Sequence, residues 1–143
     1  MLISDVLHTK GRKVFTIRPD QTVKDAVERL AEHRIGALVV ENRLKPVGIF
    51  SERDLVNRLA HSGAGVYDYK VGDLMTTPVI SGHPDDTIDD MLQLMTRRRI
   101  RHLPIIESEE LVGIVSLGDL VKHRFEEKEL EASVLLDLTR MRS

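Results

Sequence analysis

The chain has 143 residues, 41% hydrophobic and 31% charged, with a formal net charge of −2 and no cysteine. That length suits one compact domain or two small halves sharing a core. The slight negative charge argues against general nucleic-acid binding, and the lack of cysteine removes both a disulfide frame and thiol chemistry.

The N-terminus has no basic region followed by an apolar run, so no signal peptide is expected. No apolar stretch approaches the ~20 residues that a membrane helix needs. A cytoplasmic protein without membrane contact is the expectation. Aromatic residues make up only 3%, so the core must be aliphatic.

Ile3, Val6 and Leu7 show helical spacing, and a similar lead-in recurs at Val71, Leu74 and Met75. Lys10-Gly11-Arg12-Lys13 reads as a solvated turn rather than a phosphate contact. Residues 14–17 form a short predicted strand stopped by Pro19-Asp20. Thr22 and Asp25 have the spacing of a helix cap, and Val23, Ala26, Val27 and Leu30 continue it as one apolar face. Residues 35–40 are a continuous apolar run, as expected of a buried strand. A turn over 42–46 and a strand over 47–50 follow, and Ser51 opens a helix facing inward through Leu55, Val56 and Leu59.

Residues 61–69 read as a connection. Gly63-Ala64-Gly65 lacks the third glycine and the preceding strand of a dinucleotide loop. The order then repeats. Residues 79–81 are a predicted strand broken by Pro84-Asp85. Thr87 and Asp90 cap a helix with Ile88, Met91, Leu92 and Met95 on its inner face. Residues 100–106 form a strand at whose Pro104 an edge is expected, since proline has no donor. Ser108-Glu109-Glu110 turns into a strand over 111–115, and Ser116 opens the next helix. Residues 119–141 can run as one long helix with Leu130, Val134, Leu138 and Met141 on a stripe. That stripe must be buried against either its own module or a second subunit.

The centre of the pattern is Val47-Gly48-Ile49-Phe50-Ser51-Glu52-Arg53-Asp54-Leu55 and its second copy, Val112-Gly113-Ile114-Val115-Ser116-Leu117-Gly118-Asp119-Leu120. The roughly 65-residue offset marks a duplicated unit. One unit is too small to be stable alone. Two can pair their sheets about a pseudo-two-fold axis and leave two clefts where strand ends meet helix N-termini. The predicted class is α+β, with two pseudo-symmetric β-α-β-β-α repeats packed sheet to sheet, ligand clefts between them and a C-terminal helix. The segments are 1–62, 63–70, 71–125 and 126–143.

In these features the chain resembles the CBS-domain pair, or Bateman module, over roughly residues 1–125. The doubled Val-Gly-Ile-x-Ser-x-x-Asp-Leu turn, the strand Arg101-His102-Leu103-Pro104-Ile105 and the helix-opening Thr22 and Thr87 carry the resemblance. It implies binding of AMP, ATP, NAD(H) or S-adenosylmethionine in the two clefts and a role as a stand-alone sensor of cellular energy state. With the C-terminal helix it also implies a homodimer. The protein partner is not identified by the sequence. No nucleophile elbow, Walker loop or metal-hydrolase motif is present, so a binding module rather than an enzyme is expected, with no required cofactor. The rivals are a nucleotide-independent adaptor and an enzyme acting on a nucleotide.

Two roles stand for Asp54 and Asp119. With Ser51 and Ser116 they form capping boxes, as Thr22/Asp25 and Thr87/Asp90 do. A carboxylate also suits a vicinal diol, because it has two acceptor oxygens and no donor. The resemblance assigns each of them to a ribose. It also implies that Thr16 and Ser81, with Ile17 and Gly82 beside them, border the adenine, and that Ala37, Leu38, Leu103 and Pro104 wall the base. Ordinary strand ends are the competing role for Thr16 and Ser81. Phosphate contact is expected of Arg101, His102 and Arg53, while Arg97 and Arg98 suit a helix C-terminus. Gly118 replaces Arg53 in the second turn, so unequal clefts are expected. The six scattered histidines predict no metal site.

Overall fold

The computed structural model describes residues 1–142. The elements in order are α1 (Ile3–Lys10), β1 (Thr16–Ile17), α2 (Val23–His33), β2 (Ala37–Asn42), β3 (Lys45–Ser51), α3 (Glu52–Ser62), a 3-10 helix (Gly63–Asp68), α4 (Val71–Leu74), α5 (Ile88–Arg98), β4 (His102–Glu107), β5 (Glu110–Ser116) and α6 (Leu117–Arg142). The α+β class and the two repeats are as the sequence implies.

Local chemistry explains the helix boundaries. The Thr22 hydroxyl accepts the Asp25 N–H at 3.2 Å, and the Asp25 carboxylate accepts the Thr22 N–H at 3.3 Å. These bonds satisfy donors that the first turn of α2 leaves free. Thr87 caps α5 through the Asp90 N–H at 3.1 Å. Both helices stop at an arginine in the left-handed region, Arg34 at φ 53° and Arg99 at φ 55°.

β1, β2 and β3 form one sheet, with β1 parallel and β3 antiparallel to β2; β4 and β5 form a second, antiparallel pair. Each hairpin carries a register shift at the same repeat position, Val40/Glu41 and Ile105/Ile106. The turns are tighter than predicted. Arg43-Leu44 and Ser108-Glu109 turn with all four φ between 51° and 67°, which suits the right-handed twist of the strands.

Two predicted elements differ. The strand expected over 79–81 reduces to a single bridge between Gly82 and Ile105. In the first half the Val39 N–H donates to the Phe15 carbonyl at 3.3 Å. The matching residue in the second half is Pro104, which has no N–H to give, so the ladder cannot extend there. The connection over 61–69 is not an open loop. It finishes α3 and forms the 3-10 helix, whose Val66 is fully buried in the first core.

The packing regroups the lead-in helices. Ile3, Val6 and Leu7 of α1 join Ile88, Met95, Leu103 and Val115 in the second core. Val71 of α4 joins Val23, Leu38 and Phe50 in the first. Backbone bonds fix this exchange: Ile3 N–H to the Asp86 carbonyl at 2.8 Å, and Val71 N–H to the Gln21 carbonyl at 2.8 Å. The glycine of each repeated turn is the seat for the helix that arrives. A Cβ on Gly48 would lie 2.6 Å from Met75 Sδ, and one on Gly113 would lie 2.6 Å from Leu7 Cδ2.

α6 begins inside the module, with Leu120 and His123 buried. Arg124 Nε pairs with Asp89 at 2.9 Å, and the Met1 amine pairs with Glu127 at 3.2 Å. Beyond that the expected stripe is exposed, from 49% at Val134 to 81% at Met141. Of the two burials considered for it, packing on its own module does not occur. Among the described residues no helix is long and apolar enough to cross a membrane.

Candidate functional site

β3 delivers its last residue, Ser51, in extended backbone at φ −120° to the start of α3. That geometry turns the Asp54 carboxylate back toward the strand end. Oδ2 accepts the Ser51 N–H at 2.9 Å and the Ser51 hydroxyl at 3.1 Å. Oδ1 accepts the Thr76 hydroxyl at 2.8 Å. Thr76 arrives because α4 packs on the first half. Ile49 and Thr76 exchange two backbone bonds, at 3.1 and 2.8 Å, beside the Gly48 seat.

This carboxylate lines a cleft of about 460 Å³ between the halves, within the usual size range of small-molecule sites. Ile49, Val79, Ile80 and Ile100 supply apolar wall, and Arg53, Arg98, Arg99 and Arg101 supply four cations. Arg53 Nη1 donates to the Arg99 carbonyl at 3.3 Å, tying the first turn to the end of α5. The cleft therefore combines two carboxylate acceptors, a greasy middle and a basic rim. Such a set can take a diol, a flat apolar ring and an anion together.

Gly36, Glu52, Pro78 and His102 complete the lining. His102 sits so close that a Cβ on Gly36 would be 3.0 Å from its Cε1. Burial pulls the His102 pKa below its ordinary value; Glu52 opposes this, and Lys10 and Arg101 on the cationic side reinforce it. The imidazole is therefore neutral at neutral pH and can meet a ligand as a hydrogen-bonding group.

The second turn is built alike but ends differently. The Ser116 N–H donates to Asp119 Oδ2 at 2.8 Å, and the Asp119 N–H donates to the Ser116 hydroxyl at 3.1 Å. Lys10 Nζ then donates to Oδ2 at 2.5 Å and to the Ile114 carbonyl at 3.0 Å. Lys10 is thus the last residue of α1 and a partly exposed ion-pair partner rather than part of a free turn. Burial alone would raise the Asp119 pKa, but the bonds from Lys10 and Ser116 outweigh it and hold the carboxyl below its ordinary value.

Of the expected site residues, Ser51, Arg53, Asp54, Arg101 and His102 line the open cleft. Ser116 and Asp119 lie at the second turn with Lys10. The Thr16 carbonyl accepts the Arg29 guanidinium. Ile17, Ala37, Leu38 and Leu103 are buried hydrophobic core residues. Pro104 is buried in β4 beside them, and Ser81 is exposed. Gly82 differs from expectation. A Cβ there would lie 3.0 Å from Leu103 Cδ2 and 3.1 Å from Met91 Sδ, so the glycine admits the protein's own core rather than a ligand. Arg98 lines the cleft besides serving the end of α5. Sequence reasoning missed Thr76 and Lys10. The repeat of the lead-in helices was the available signal, but only the exchange between halves shows what those helix ends reach. Among the described residues no group of three or more His, Asp or Glu could hold a metal ion.

The CBS domain profile matches the chain twice, over residues 3–61 and 71–126. The Arabidopsis thaliana protein named CBS domain-containing protein CBSX3, mitochondrial, is 37% identical over 92% of this chain and 71% of its own length. The crystal structure of the CBS-domain containing protein ATU1752 from Agrobacterium tumefaciens is similar at TM-score 0.84 and 40% identity, over 87% of this chain and 99% of that one. The CBS domain pair of protein MJ0100, solved in complex with 5′-methylthioadenosine and S-adenosyl-L-methionine, is similar at TM-score 0.78 and 25% identity, over 90% and 98% of the two chains.

Proposed function

The chain belongs to the CBS-domain family, and from that premise we propose that it is a regulatory module binding adenosine-containing ligands in the cleft beside Asp54. The observation that carries this is the Asp54 carboxylate, held by Ser51 and Thr76, on the wall of a 460 Å³ cleft with four arginines. In the bound state Asp54 accepts both ribose hydroxyls, Ile80 and Ile100 flank the base, and Arg53 and Arg101 meet phosphate. The ligands to test are AMP, ATP, NAD(H) and S-adenosylmethionine, a set supported by the MJ0100 complex with two adenosine compounds. The cationic rim favours the phosphorylated ones. Calorimetry with each is the direct experiment. Heat from AMP or ATP is expected, and no heat from any of the four contradicts the proposal.

A ligand here bridges both halves, because the lining comes from the first turn, the segment after α4 and the end of α5. Its binding can shift the halves only if it favours one arrangement over another. The output we assign to this shift is α6. The exposed stripe of this helix suits a homodimer. Glu126, Glu127, Glu129 and Glu131 lie in its middle and Arg140 and Arg142 at its end. An antiparallel pair centred near Val134 sets Glu126 opposite Arg142. The same stripe also favours a second function, a nucleotide-independent adaptor; capture of a partner that ignores added nucleotide would distinguish it. The cytoplasm is the compartment proposed, and a binding role rather than catalysis is the activity.

A further inference from the structure

We infer that Lys10 is a tethered occupant of the second turn, and that it restricts this protein to one adenosine site per chain. The inference deepens the proposed function and rests on it.

The oxygen accounting at the two carboxylates differs. A vicinal diol bridging a carboxylate donates one hydrogen bond to each of its two oxygens. At Asp54, Oδ2 serves Ser51, and Oδ1 serves only the neutral Thr76 hydroxyl. That hydroxyl can rotate, release the oxygen and accept in turn. At Asp119, Oδ2 takes both the Ser116 N–H and the Lys10 ammonium, while Oδ1 accepts no hydrogen bond from the described residues. An N⁺–H···O⁻ bond is roughly twice as strong as a neutral one. A diol that bridges both oxygens meets neutral hydroxyls at Asp54 but an ammonium at Asp119 Oδ2, and a displaced ammonium also loses the Ile114 carbonyl.

Three features hold Lys10 in place. α1 runs through Lys10, whereas α4 stops at Leu74, so only the N-terminal lead-in carries a cation as far as the carboxylate. Leu7, one turn before, is locked into the second core against Gly113. Gly11 then breaks the helix, its φ of 98° turning the chain away directly after the lysine. The surroundings are also less open to an anion. Phe15 and His33 occupy the repeat positions of Ile80 and Arg98 and stack on each other, ring centroids 3.8 Å apart. Gly118 stands in place of Arg53.

Calorimetric titration with adenosine tests this, because a nucleoside has no phosphate to draw Lys10 away. The wild type is expected to bind one adenosine per chain, and Lys10→Met, which keeps the stem and removes the charge, to bind two. Adding Asp119→Ala to Lys10→Met should return the count to one, and Lys10→Arg should never leave one. Thermal unfolding of each variant checks that it is folded, and Lys10→Gln serves if Lys10→Met is not. Two sites in the wild type, or one site in a folded Lys10→Met protein, overturns the inference and leaves the Asp54 site standing. No adenosine bound by any form, wild type included, overturns the Asp54 site and the inference with it.

Discussion

The Thr76 hydroxyl donates to Asp54 Oδ1 at 2.8 Å, joining the segment after α4 to the start of α3. Twenty-two positions separate the two residues, and only the packing of α4 on the first half brings them together. Asp54 therefore has two jobs, since it also accepts the Ser51 N–H as the N3 residue of a cap. Asp54→Ala should lower adenosine-ligand affinity at least about tenfold, roughly 1.4 kcal/mol. It should also cost about 0.5–2 kcal/mol of stability from the lost cap. Calorimetry and urea unfolding separate the two effects. Thr76→Val, which frees Oδ1 and leaves the cap intact, should keep binding within about threefold of wild type, about 0.7 kcal/mol on the same scale.

Arg53 should distinguish nucleotide from nucleoside. Its guanidinium spans from the first turn to the Arg99 carbonyl, 3.3 Å away, on the wall of the cleft. Arg53→Ala should weaken ATP by about tenfold, roughly 1.4 kcal/mol, and adenosine by no more than about twofold. Added salt should narrow the difference, because the lost attraction is partly exposed and screened. Equal losses for both ligands would mean that Arg53 supports the turn rather than a phosphate.

The two seat glycines should not tolerate a methyl group equally. A Cβ on Gly48 meets Met75 Sδ at 2.6 Å and the Thr76 backbone carbonyl at 3.1 Å. The three atoms nearest to one on Gly113 all belong to the Leu7 side chain. A side chain can turn aside, but a carbonyl tied into the Ile49–Thr76 pair cannot. Gly48→Ala should cost about 1–3 kcal/mol, more than Gly113→Ala, and should also weaken ligand binding by moving Thr76. Denaturant midpoints and one affinity measurement check both parts.

Acid should destabilise the fold in two stages. His102 has a folded-state pKa below its ordinary 6.5, chiefly from burial. Below about 6.5 the unfolded chain binds a proton that the folded chain resists, so stability falls as pH drops from there toward the folded value. Asp119 has a folded-state pKa below its ordinary 3.8, because Lys10 and Ser116 outweigh the effect of burial. Its contribution is present above 3.8 and is lost as pH falls through the folded value. His102→Gln should remove the first stage, and Lys10→Met should shrink the second. Thermal melts across pH 3–8 (roughly that window) read both.

The sequence made the repeated architecture legible because its signals are local. Thr22/Asp25 and Thr87/Asp90 announce their helices through bonds spanning three residues, and Ser51 and Ser116 mark where strand becomes helix. The exchange of α1 and α4 was not legible, because Ile3 finds Asp86 and Val71 finds Gln21 only in the folded chain. This is also why the site was half visible. Asp54, Arg53 and Arg101 stand within repeated motifs, whereas Thr76 and Lys10 acquire their partners 22 and 109 positions away. Leu103 and Ile17 are buried in the two cores, because a short apolar run does not say which face of its strand meets the core.

The most direct measurement compares AMP with 2′,3′-dideoxy-AMP by calorimetry on the wild-type protein, because the two differ only in the hydroxyls that Asp54 is proposed to accept. AMP should bind at least about tenfold more tightly, roughly 1.4 kcal/mol, and Asp54→Ala should erase the difference. Equal affinities of the two nucleotides for the wild type would contradict a ribose at Asp54.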